Sequence, residues 1–382
     1  MTHNQPGREE LLERAQTAAQ IAAQYAAWGE QNGRLHDDVV TALRDAGIPR
    51  LYLPTRLGGY AVDPVTCALV CETLADADAS AAWFVMVYNA ARIMAANWPQ
   101  TMVERLWGEN PDTLVAASGH TPFTGVRQGD GYVVSGRNSF VSGCHHADFI
   151  MSPMHVSGEM YTVAVPANAC EIVDNWDTLG MRATGSNDVI VPEVWVPGHL
   201  VAAQANPSRN PLYDDLLYTC PSRVVFATYV PAALSLARRA LTQLDLLAGN
   251  KVPYATDQKL AKRSVAQIHY GKAMAEYRAV RGYFFAALEQ VWQQASAARE
   301  FDHRDRADLY LAGTHAVQAS ARVVRHVADA AGSTVFDRAS PLERIVRDIE
   351  TLRHHGFANE SRYASVAQVH WDVELDYPLL LR

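Results

Sequence analysis

The sequence predicts an α+β protein that is mostly α-helical, with a helical domain first, a small β-domain in the middle and a four-helix bundle last. Two observations predict this order. Apolar residues recur at helical spacing up to about residue 111 and again from about residue 212. Between them, short β-branched or alternating runs are separated by Gly, Pro and Asn. We place the domains at residues 1–111, 112–205 and 206–382.

Helical signals are clear in the first domain. The segment 9–28 is rich in Ala, Leu, Glu and Gln. Gly47 followed by Pro49 is a helix-stop signal, and Asp63-Pro64 places a proline in the first turn of another helix. We predict helices over Glu9–Trp28 and His36–Ala46, from Asp63 onward, and over Ser80–Met94 and Pro99–Trp107.

The middle and last domains differ in hydrophobic period. Residues 131–135 alternate apolar and polar side chains after an Asp130-Gly131 hairpin-type turn, and further strands are expected at 149–151, 161–165 and 189–191. After residue 212 the pattern is long, periodic and rich in alanine. Four helices are predicted there, over Ser222–Leu247, Asp257–Ser296, Arg304–Ala331 and Leu342–Tyr363, and four long helices with short links suggest a bundle.

Composition excludes several classes of function. The net charge is -8 and no basic stripe is present, which argues against a nucleic-acid binder. The polar start, Met1 to Glu10, lacks the apolar segment of a secretory signal. The apolar stretch Ala79–Trp98 contains Asn89 and Arg92, so we expect a buried helix and not a membrane span. The five cysteines are expected to be reduced thiols of a cytoplasmic protein.

No metal site is predicted, because Cys67-Cys71 and His145-His146 lack further ligands at metal-binding spacing. No Gly-x-Gly-x-x-Gly motif follows a strand, so we expect no nicotinamide-binding unit within the chain.

Three segments carry a family resemblance. They are Gly136-Arg-Asn-Ser-Phe-Val-Ser-Gly-Cys-His-His-Ala-Asp148, Trp176-Asp-Thr-Leu-Gly-Met-Arg-Ala-Thr-Gly-Ser-Asn-Asp188 with Val194-Trp-Val-Pro197, and Pro341-Leu-Glu-Arg-Ile-Val-Arg-Asp348. In this order and spacing the chain resembles the acyl-CoA dehydrogenase superfamily. The resemblance covers nearly the whole chain and implies a central β-barrel-like domain, a C-terminal four-helix bundle, a flavin at the junction of the domains and a homotetramer.

The resemblance also implies which residues bind the flavin. A hydroxyl at Ser142 can hydrogen-bond the polar edge of an isoalloxazine ring, and Gly143 lets the backbone approach it; a strand-end turn is the alternative explanation. Thr184 and Ser186 form a second ligand-facing turn or a plain loop. The predicted cofactor-binding residues are Ser142, Gly143, Phe140, Thr184, Ser186, Gly332, Arg347 and Asp348.

The family's catalytic carboxylate is missing from both positions where the family places it. Gly356 stands at one and Ser222 at the other, so removal of an α-proton from an acyl-CoA lacks its base. A histidine late in the Arg-Asp helix instead resembles the two-component flavin monooxygenases of this fold. In them the serine contacts the flavin's reactive nitrogen edge, and the histidine stabilises a flavin hydroperoxide. His354 and His355 diverge by about 100° on a helix; the spacing favours His355, whose pKa is expected near neutrality.

The resemblance implies an oxidoreductase that hydroxylates or oxygenates an aromatic small molecule with O2. Trp83 matches a tryptophan of phenol-hydroxylating relatives, but Ala91 replaces their histidine, which favours an indole-like ring over a phenol. An amine or sulfur substrate remains open, and so does an acyl-CoA dehydrogenase or oxidase with a displaced base. The predicted substrate-binding residues are Trp83, Tyr88, Asn89, Ala91, Ser118 and His120, and the predicted catalytic residues are His355, Ser142 and Ser118.

The implied cofactor is reduced flavin, FAD in preference to FMN. An NAD(P)H-dependent flavin reductase is the expected partner, because the chain has no nicotinamide site of its own.

Overall fold

The structure is a computed structural model that describes residues 5–204 and 208–381. Residues 1–4 of the predicted polar start, and the predicted domain boundary at 205 and 206, lie outside the described residues. The chain divides into two compact units. The first comprises residues 1–177 and 182–228, and the second comprises 178–181 and 229–382.

Five helices open the first unit. Gly33, at φ +66°, ends the first helix, which is therefore four residues longer than its predicted end at Trp28. The Asp63 side chain accepts a hydrogen bond from Thr66 N at 2.9 Å and caps the third helix, as Asp63-Pro64 predicts. The helices are α1 (Arg8–Asn32), α2 (Asp37–Asp45), α3 (Pro64–Ala77), α4 (Ala79–Met94) and α5 (Gln100–Trp107).

The β-domain of this unit is one mixed sheet. Among the described residues it has eight strands: β1 (Val115–Ala117), β2 (Phe123–Gln128), β3 (Gly131–Val141), β4 (Phe149–Val156), β5 (Glu159–Pro166), β6 (Glu171–Val173), β7 (Asn187–Pro197) and β8 (Val201–Ala203). The strand order is β6-β7-β3-β2-β4-β5-β8, and β1 pairs in parallel with β4. The predicted central β-domain is confirmed.

The hairpin between β2 and β3 corrects one prediction. Gln128 pairs with Gly131, so the two linking residues are Gly129 and Asp130 and not Asp130 and Gly131. Gly129 has a φ of +62°, which a two-residue hairpin requires at this position. The Gly129-Asp130-Gly131 run contains two possible turns one residue apart, and sequence alone favoured the wrong one.

Helices dominate the second unit. They are α6 (Val230–Asn250), α7 (Ser264–Ser296), α8 (His303–Ala331), α9 (Pro341–Leu352) and α10 (Ser361–His370). Helices α6 to α9 pack against one another, with α8 contacting α6, α7 and α9. The segment 178–181 belongs to this unit as well.

Three of the predicted helices differ from the structure, two in where they begin and one in being interrupted. The helix predicted from Ser222 begins at Val230, with Pro231 in its first turn, and Ser222–Thr228 is a 3₁₀ segment. The helix predicted from Asp257 begins at Ser264. The single helix predicted over Leu342–Tyr363 is two helices, α9 and α10, with Gly356 in the interruption.

One segment, Ser222–Asn250, is long and apolar enough to cross a membrane by length and composition. In the structure 89% of its most apolar stretch of 18 residues is buried, as expected for a core helix of a folded protein.

Candidate functional site

A bulge at the end of β3 presents the Phe140–Gly143 segment. Between two paired positions β3 advances from Asn138 to Val141 while β7 advances only from Val189 to Asn187, so β3 carries one extra residue. Phe140 lies in this bulge at φ +60° and is 53% exposed. A bulky residue in this backbone region is strained, and such strain concentrates at functional sites.

Phe140 is the centre of an exposed aromatic cluster. Its ring meets His120 edge-to-face at a centroid distance of 4.9 Å and Trp176 at 6.0 Å. The sequence predicted Phe140 and His120 as site residues, and the structure brings them together. Trp176 was not predicted as a site residue, although it begins the second of the three segments that carry the family resemblance.

Close packing explains the glycine at position 143. Its backbone N donates to Thr184 O at 2.9 Å, and its φ is +72°. The Tyr88 hydroxyl donates to Gly143 O at 2.7 Å, and a Cβ on Gly143 would lie 2.7 Å from that same hydroxyl oxygen. Any side chain here would therefore displace Tyr88 as well as strain the backbone.

Four predicted site residues form one hydrogen-bonded chain. The Trp83 indole N–H donates to Ser142 Oγ at 3.2 Å. Ser142 Oγ lies 2.7 Å from Ser186 Oγ, which lies 2.8 Å from Thr184 Oγ1. Thr184 and Ser186 are buried, whereas Ser142 is half-buried. We call Ser142, Ser186 and Thr184 the hydroxyl chain.

The indole N–H of Trp83 can only donate a hydrogen bond, and this determines the hydrogen-bonding role of the Ser142 hydroxyl. Its oxygen must accept the Trp83 hydrogen bond, and a serine oxygen has two lone pairs and one proton. When Ser186 also donates to it, both lone pairs are used and the Ser142 O–H becomes a donor to a ligand. The hydroxyl chain can therefore orient the Ser142 proton outward.

A small pocket adjoins the chain. It is lined by Trp83, Tyr88, Gly143, Thr184 and, from residues not predicted for the site, by Arg34, His145 and His146 among others. The sequence drew attention to the two histidines only as a discounted metal pair. Arg34, after the C-cap Gly33, carries no sequence signal that would place it there.

Both of these histidines have protein partners. His145 Nε2 lies 3.0 Å from the Asn187 amide nitrogen, and His146 Nε2 lies 3.1 Å from Leu35 O. Burial is the main cause that lowers the pKa of each, for His146 to about 4. Burial favours the neutral ring in both, and their contacts join the α1–α2 link and α2 to the sheet.

Two predicted substrate residues on α4 lie elsewhere. Asn89 is buried, and its amide bonds only to main chain: Oδ1 accepts from Tyr52 N at 3.0 Å, and Nδ2 donates to Ile48 O and Val85 O. Ala91 is buried too, and neither residue lines the pocket. Asn89 thus anchors a loop to α4, and substrate contact by either residue stays a prediction.

Ser118 holds its own loop to the sheet. Its hydroxyl donates to Ser139 O at 2.7 Å and accepts from His120 N at 3.2 Å. Asn138 Nδ2 donates to Ser118 O at 2.9 Å. These bonds fix the loop beside the bulged end of β3. A catalytic role for Ser118 stays a prediction.

In the second unit, His355 occupies an aromatic setting just after α9. Its ring lies 5.0 Å from that of Phe357 and 5.9 Å from that of Tyr229, between centroids. Nδ1 accepts from Phe357 N at 3.4 Å, which leaves the proton of the neutral ring on Nε2. Desolvation lowers the pKa of His355 to about 4, so the expectation of a pKa near neutrality was wrong.

The neighbouring His354 differs. It is exposed, and its Nδ1 lies 2.7 Å from Glu350 O at the end of α9. The two histidines do differ in exposure, with His355 the half-buried one, but both lie after the end of α9 and not on a helix as predicted.

The Arg347-Asp348 pair holds the segment 178–181. Buried Asp348 accepts from Met181 N at 2.6 Å, and Arg347 donates to Leu179 O at 2.7 Å. A Cβ on Gly180 would lie 2.3 Å from Arg347 O, so this contact requires a glycine. Flavin contact by Arg347 or Asp348 stays a prediction.

Gly332 ends α8 with φ +59°. Beside it, Lys251 Nζ donates to Ala331 O at 2.6 Å. These contacts give Gly332 a capping role, and a part in binding flavin stays a prediction.

The carboxylates nearest to His355 in the sequence are Glu350 and Glu360. Glu350 bonds Arg353 at 2.6 Å and Arg325 at 3.4 Å. Its carboxylate is therefore already engaged by two arginine side chains. Glu360 is exposed, and position 356 is a glycine.

Comparison with known proteins agrees with this architecture. The family models for the acyl-CoA dehydrogenase N-terminal domain and C-terminal domain match residues 8–97 and 227–360, together more than half of the chain. The structure of XiaF from Streptomyces sp., in complex with FADH2 and glycerol, superposes with a TM-score of 0.91 at 22% identity, over 97% of each chain.

Two curated relatives cover most of the chain. Indole-3-acetate monooxygenase of Acinetobacter baumannii is 29% identical over 85% of this chain and 84% of its own length. The oxygenase subunit HsaA of a Mycobacterium tuberculosis flavin-dependent monooxygenase is 27% identical over 87% of each. With family models matching both ends of the chain, the chain belongs to the acyl-CoA dehydrogenase superfamily.

Proposed function

We propose that this protein is the oxygenase component of a two-component flavin-dependent monooxygenase that oxygenates an aromatic, indole-like small molecule. The observation that carries the proposal is the hydroxyl chain beside Trp83, which ends in a half-buried Ser142 able to donate outward.

The residues at this place fit a flavin. Ser142 offers a hydroxyl donor, Gly143 offers a backbone without a side chain, and strained, exposed Phe140 offers an aromatic face. An isoalloxazine ring presents a polar nitrogen and carbonyl edge beside apolar faces, which these three groups complement. Bound reduced flavin supplies the activation of O2; the protein supplies position, exclusion of water and proton placement.

The proton placement falls to two groups. Ser142 holds a proton at its Oγ toward the bound cofactor, and Ser186 and Thr184 keep that proton oriented. His355, neutral at working pH, holds a proton at Nε2 as a hydrogen-bond donor. A neutral imidazole donates without adding a charge, which suits an apolar setting of Tyr229 and Phe357.

Relatives support the substrate class and the partner. One relative is named for indole-3-acetate and another as an oxygenase subunit, which implies a separate reductase. We therefore propose an indole-like aromatic substrate, an NAD(P)H-dependent flavin reductase as partner, and a homotetramer in the cytoplasm. We favour FAD over FMN, since the XiaF complex contains FADH2.

Acyl-CoA dehydrogenation is the competing function, and the geometry disfavours it. Abstraction of the α-proton of a thioester requires a carboxylate within hydrogen-bond reach and with a suitable pKa. Glu350 is engaged by Arg325 and Arg353, and position 356 has no side chain.

The test is anaerobic titration with reduced FAD and with reduced FMN, followed by rapid mixing with oxygenated buffer. We expect tight binding of a reduced flavin, a transient species absorbing in the near-ultraviolet, and faster decay of that species with indole-3-acetate or indole. Immediate reoxidation without a transient, together with bleaching of bound oxidised flavin by an acyl-CoA, would overturn the proposal.

A further inference from the structure

Three side chains on α7 and α8 could ligate a metal ion, and none of them belongs to the hydroxyl chain or to the surroundings described for His355. His269 is on α7, and His326 and Asp329 are on α8. One ligand atom from each residue lies within 4.8 Å of the others. The histidines are 57 residues apart in the chain, so no spacing motif in the sequence pairs them.

We propose that His269, His326 and Asp329 form a binding site for a divalent transition-metal ion such as Zn²⁺. The two Nδ1 atoms are 3.2 Å apart. Two nitrogens that each bind one ion at about 2.0–2.1 Å lie about 2.9–3.4 Å apart, from the right angle of an octahedral ion to the tetrahedral angle. The imidazoles therefore already hold the separation that one shared ion requires.

Helix geometry supplies the third ligand. Asp329 follows His326 by three residues, so both side chains leave the same face of α8. The histidines are half-buried, and Asp329 is exposed. An ion bound here would be coordinated by two half-buried imidazole nitrogens and by one solvent-exposed carboxylate. Water would occupy the remaining coordination positions.

Local charges are compatible with a cation. Arg322, one turn before His326, pairs with Glu276 at 2.7 Å, and Arg325 pairs with Glu350 at 3.4 Å. Both arginines have an acidic partner, so their charges are partly offset near the cluster. The Asp329 carboxylate in turn offsets one charge of a bound ion.

The donor set selects the ion. Two imidazoles and one carboxylate suit Zn²⁺, Ni²⁺ or Cu²⁺, whereas Mg²⁺ and Ca²⁺ prefer oxygen ligands. Without an ion, one ring donates its Nδ1–H to the lone pair of the other. Binding moves that proton to Nε2 of the same ring, and both Nδ1 lone pairs then face the ion. The ion would link α7 to α8.

The test uses the full-length, tag-free protein after removal of metals with a chelator. Zn²⁺ and Mg²⁺ are titrated separately by calorimetry, and thermal unfolding is followed with and without Zn²⁺. We expect one Zn²⁺ per chain, no Mg²⁺ binding at the same concentrations, and a Tm raised by Zn²⁺ because the ion binds the native state. Neither measurement requires catalysis, so failure of the proposed oxygenase function leaves this test intact.

Matched variants decide the location. His269→Ala and His326→Ala should each weaken Zn²⁺ binding at least about tenfold and abolish the rise in Tm, because each removes one of three ligands. His303→Ala, which removes an exposed histidine from the start of α8, should leave both unchanged. His269→Gln and His326→Gln replace the alanine variants if those unfold early. Zn²⁺ affinity that is undetectable in the unaltered chain, or equal in the His326 and His303 variants, would overturn the proposal.

Discussion

His146 in the first unit and His355 in the second have the same pKa of about 4, for the same main reason, desolvation. Their neighbours differ. His146 bonds Leu35 O at 3.1 Å and lies 3.7 Å from the Asp37 carboxylate, so both of its ring nitrogens face structural partners. His355 instead lies among the aromatic rings of Tyr229 and Phe357.

The difference shows that a lowered pKa does not by itself identify a catalytic group. Both histidines are kept neutral, but only one is placed where its neutral state serves a reaction in our proposal. The surroundings of the two rings differ although their pKa values agree: a carbonyl and a carboxylate lie beside His146, and aromatic rings lie beside His355.

The largest expected effect is on catalysis by His355. His355→Asn should lower product formed per reduced flavin consumed by about 100-fold or more, because a positioned proton donor contributes about 10²–10⁴-fold. The matched control is His354→Asn, since His354 is the adjacent residue after α9 and is exposed. Steady-state product analysis with a flavin reductase measures both, and equal activity of the two variants would contradict the comparison.

Acid sensitivity is expected to involve both histidines. A folded pKa near 4, below the unfolded value of about 6.5, means that the unfolded chain binds more protons between those values. The folded protein should therefore be most stable above about pH 6.5 and should lose stability as the pH decreases toward about 4. Urea unfolding across this range measures the slope. His146→Gln and His355→Gln should each flatten it, and an unchanged slope in both would refute the assignment.

Ser142 is expected to affect flavin binding more than folding. Ser142→Ala should weaken binding of reduced flavin about tenfold, the loss of one hydrogen bond of about 1–1.5 kcal/mol. Ser186→Ala should have the same direction and a smaller effect, because Ser186 acts through Ser142. Ser135→Ala, on β3 and outside the hydroxyl chain, is the control. Fluorescence titration under anaerobic conditions gives the three Kd values.

The smallest effect is expected from Glu350. Glu350→Gln breaks ion pairs to Arg325 and Arg353, which are worth about 0–1 kcal/mol for partly exposed pairs. Oxygenase turnover should stay within about twofold of the unaltered protein, since Glu350 has no role in proton placement. A large loss of oxygenase turnover would instead show that this carboxylate takes part in the oxygenase reaction.

The fold was largely predictable because hydrophobic period changes along the chain. The confirmed elements, such as the Asp63-capped α3 and the strands of the β-domain, carry strong local signals. The errors occurred where two local signals compete. Pro231 begins α6 within a continuous apolar run, and Gly356 lies within a predicted helix that an isolated glycine need not end.

Site residues were predictable from the sequence only where they lie within a recognisable motif. Ser142, Thr184 and Ser186 lie in quoted motifs, and the structure joins them with Trp83. The hydrogen bonds that occupy Asn89 come from main-chain groups, whose positions no pattern of side chains reveals. The same limit applies to the low pKa of His355, which depends on desolvation by residues distant in sequence.

The extra residue in β3 makes the chemistry of this protein sensitive to length as well as to residue type. Alternate residues of a strand point to opposite faces of the sheet. Deletion of one residue between Asn138 and Val141 would therefore remove this bulge against β7 and is expected to turn Ser142, the residue after the strand, to the other face. Every residue of the hydroxyl chain would still be present, but its members would no longer meet. Divergence within this fold can therefore proceed by insertion or deletion at a single strand position, without replacement of any functional side chain.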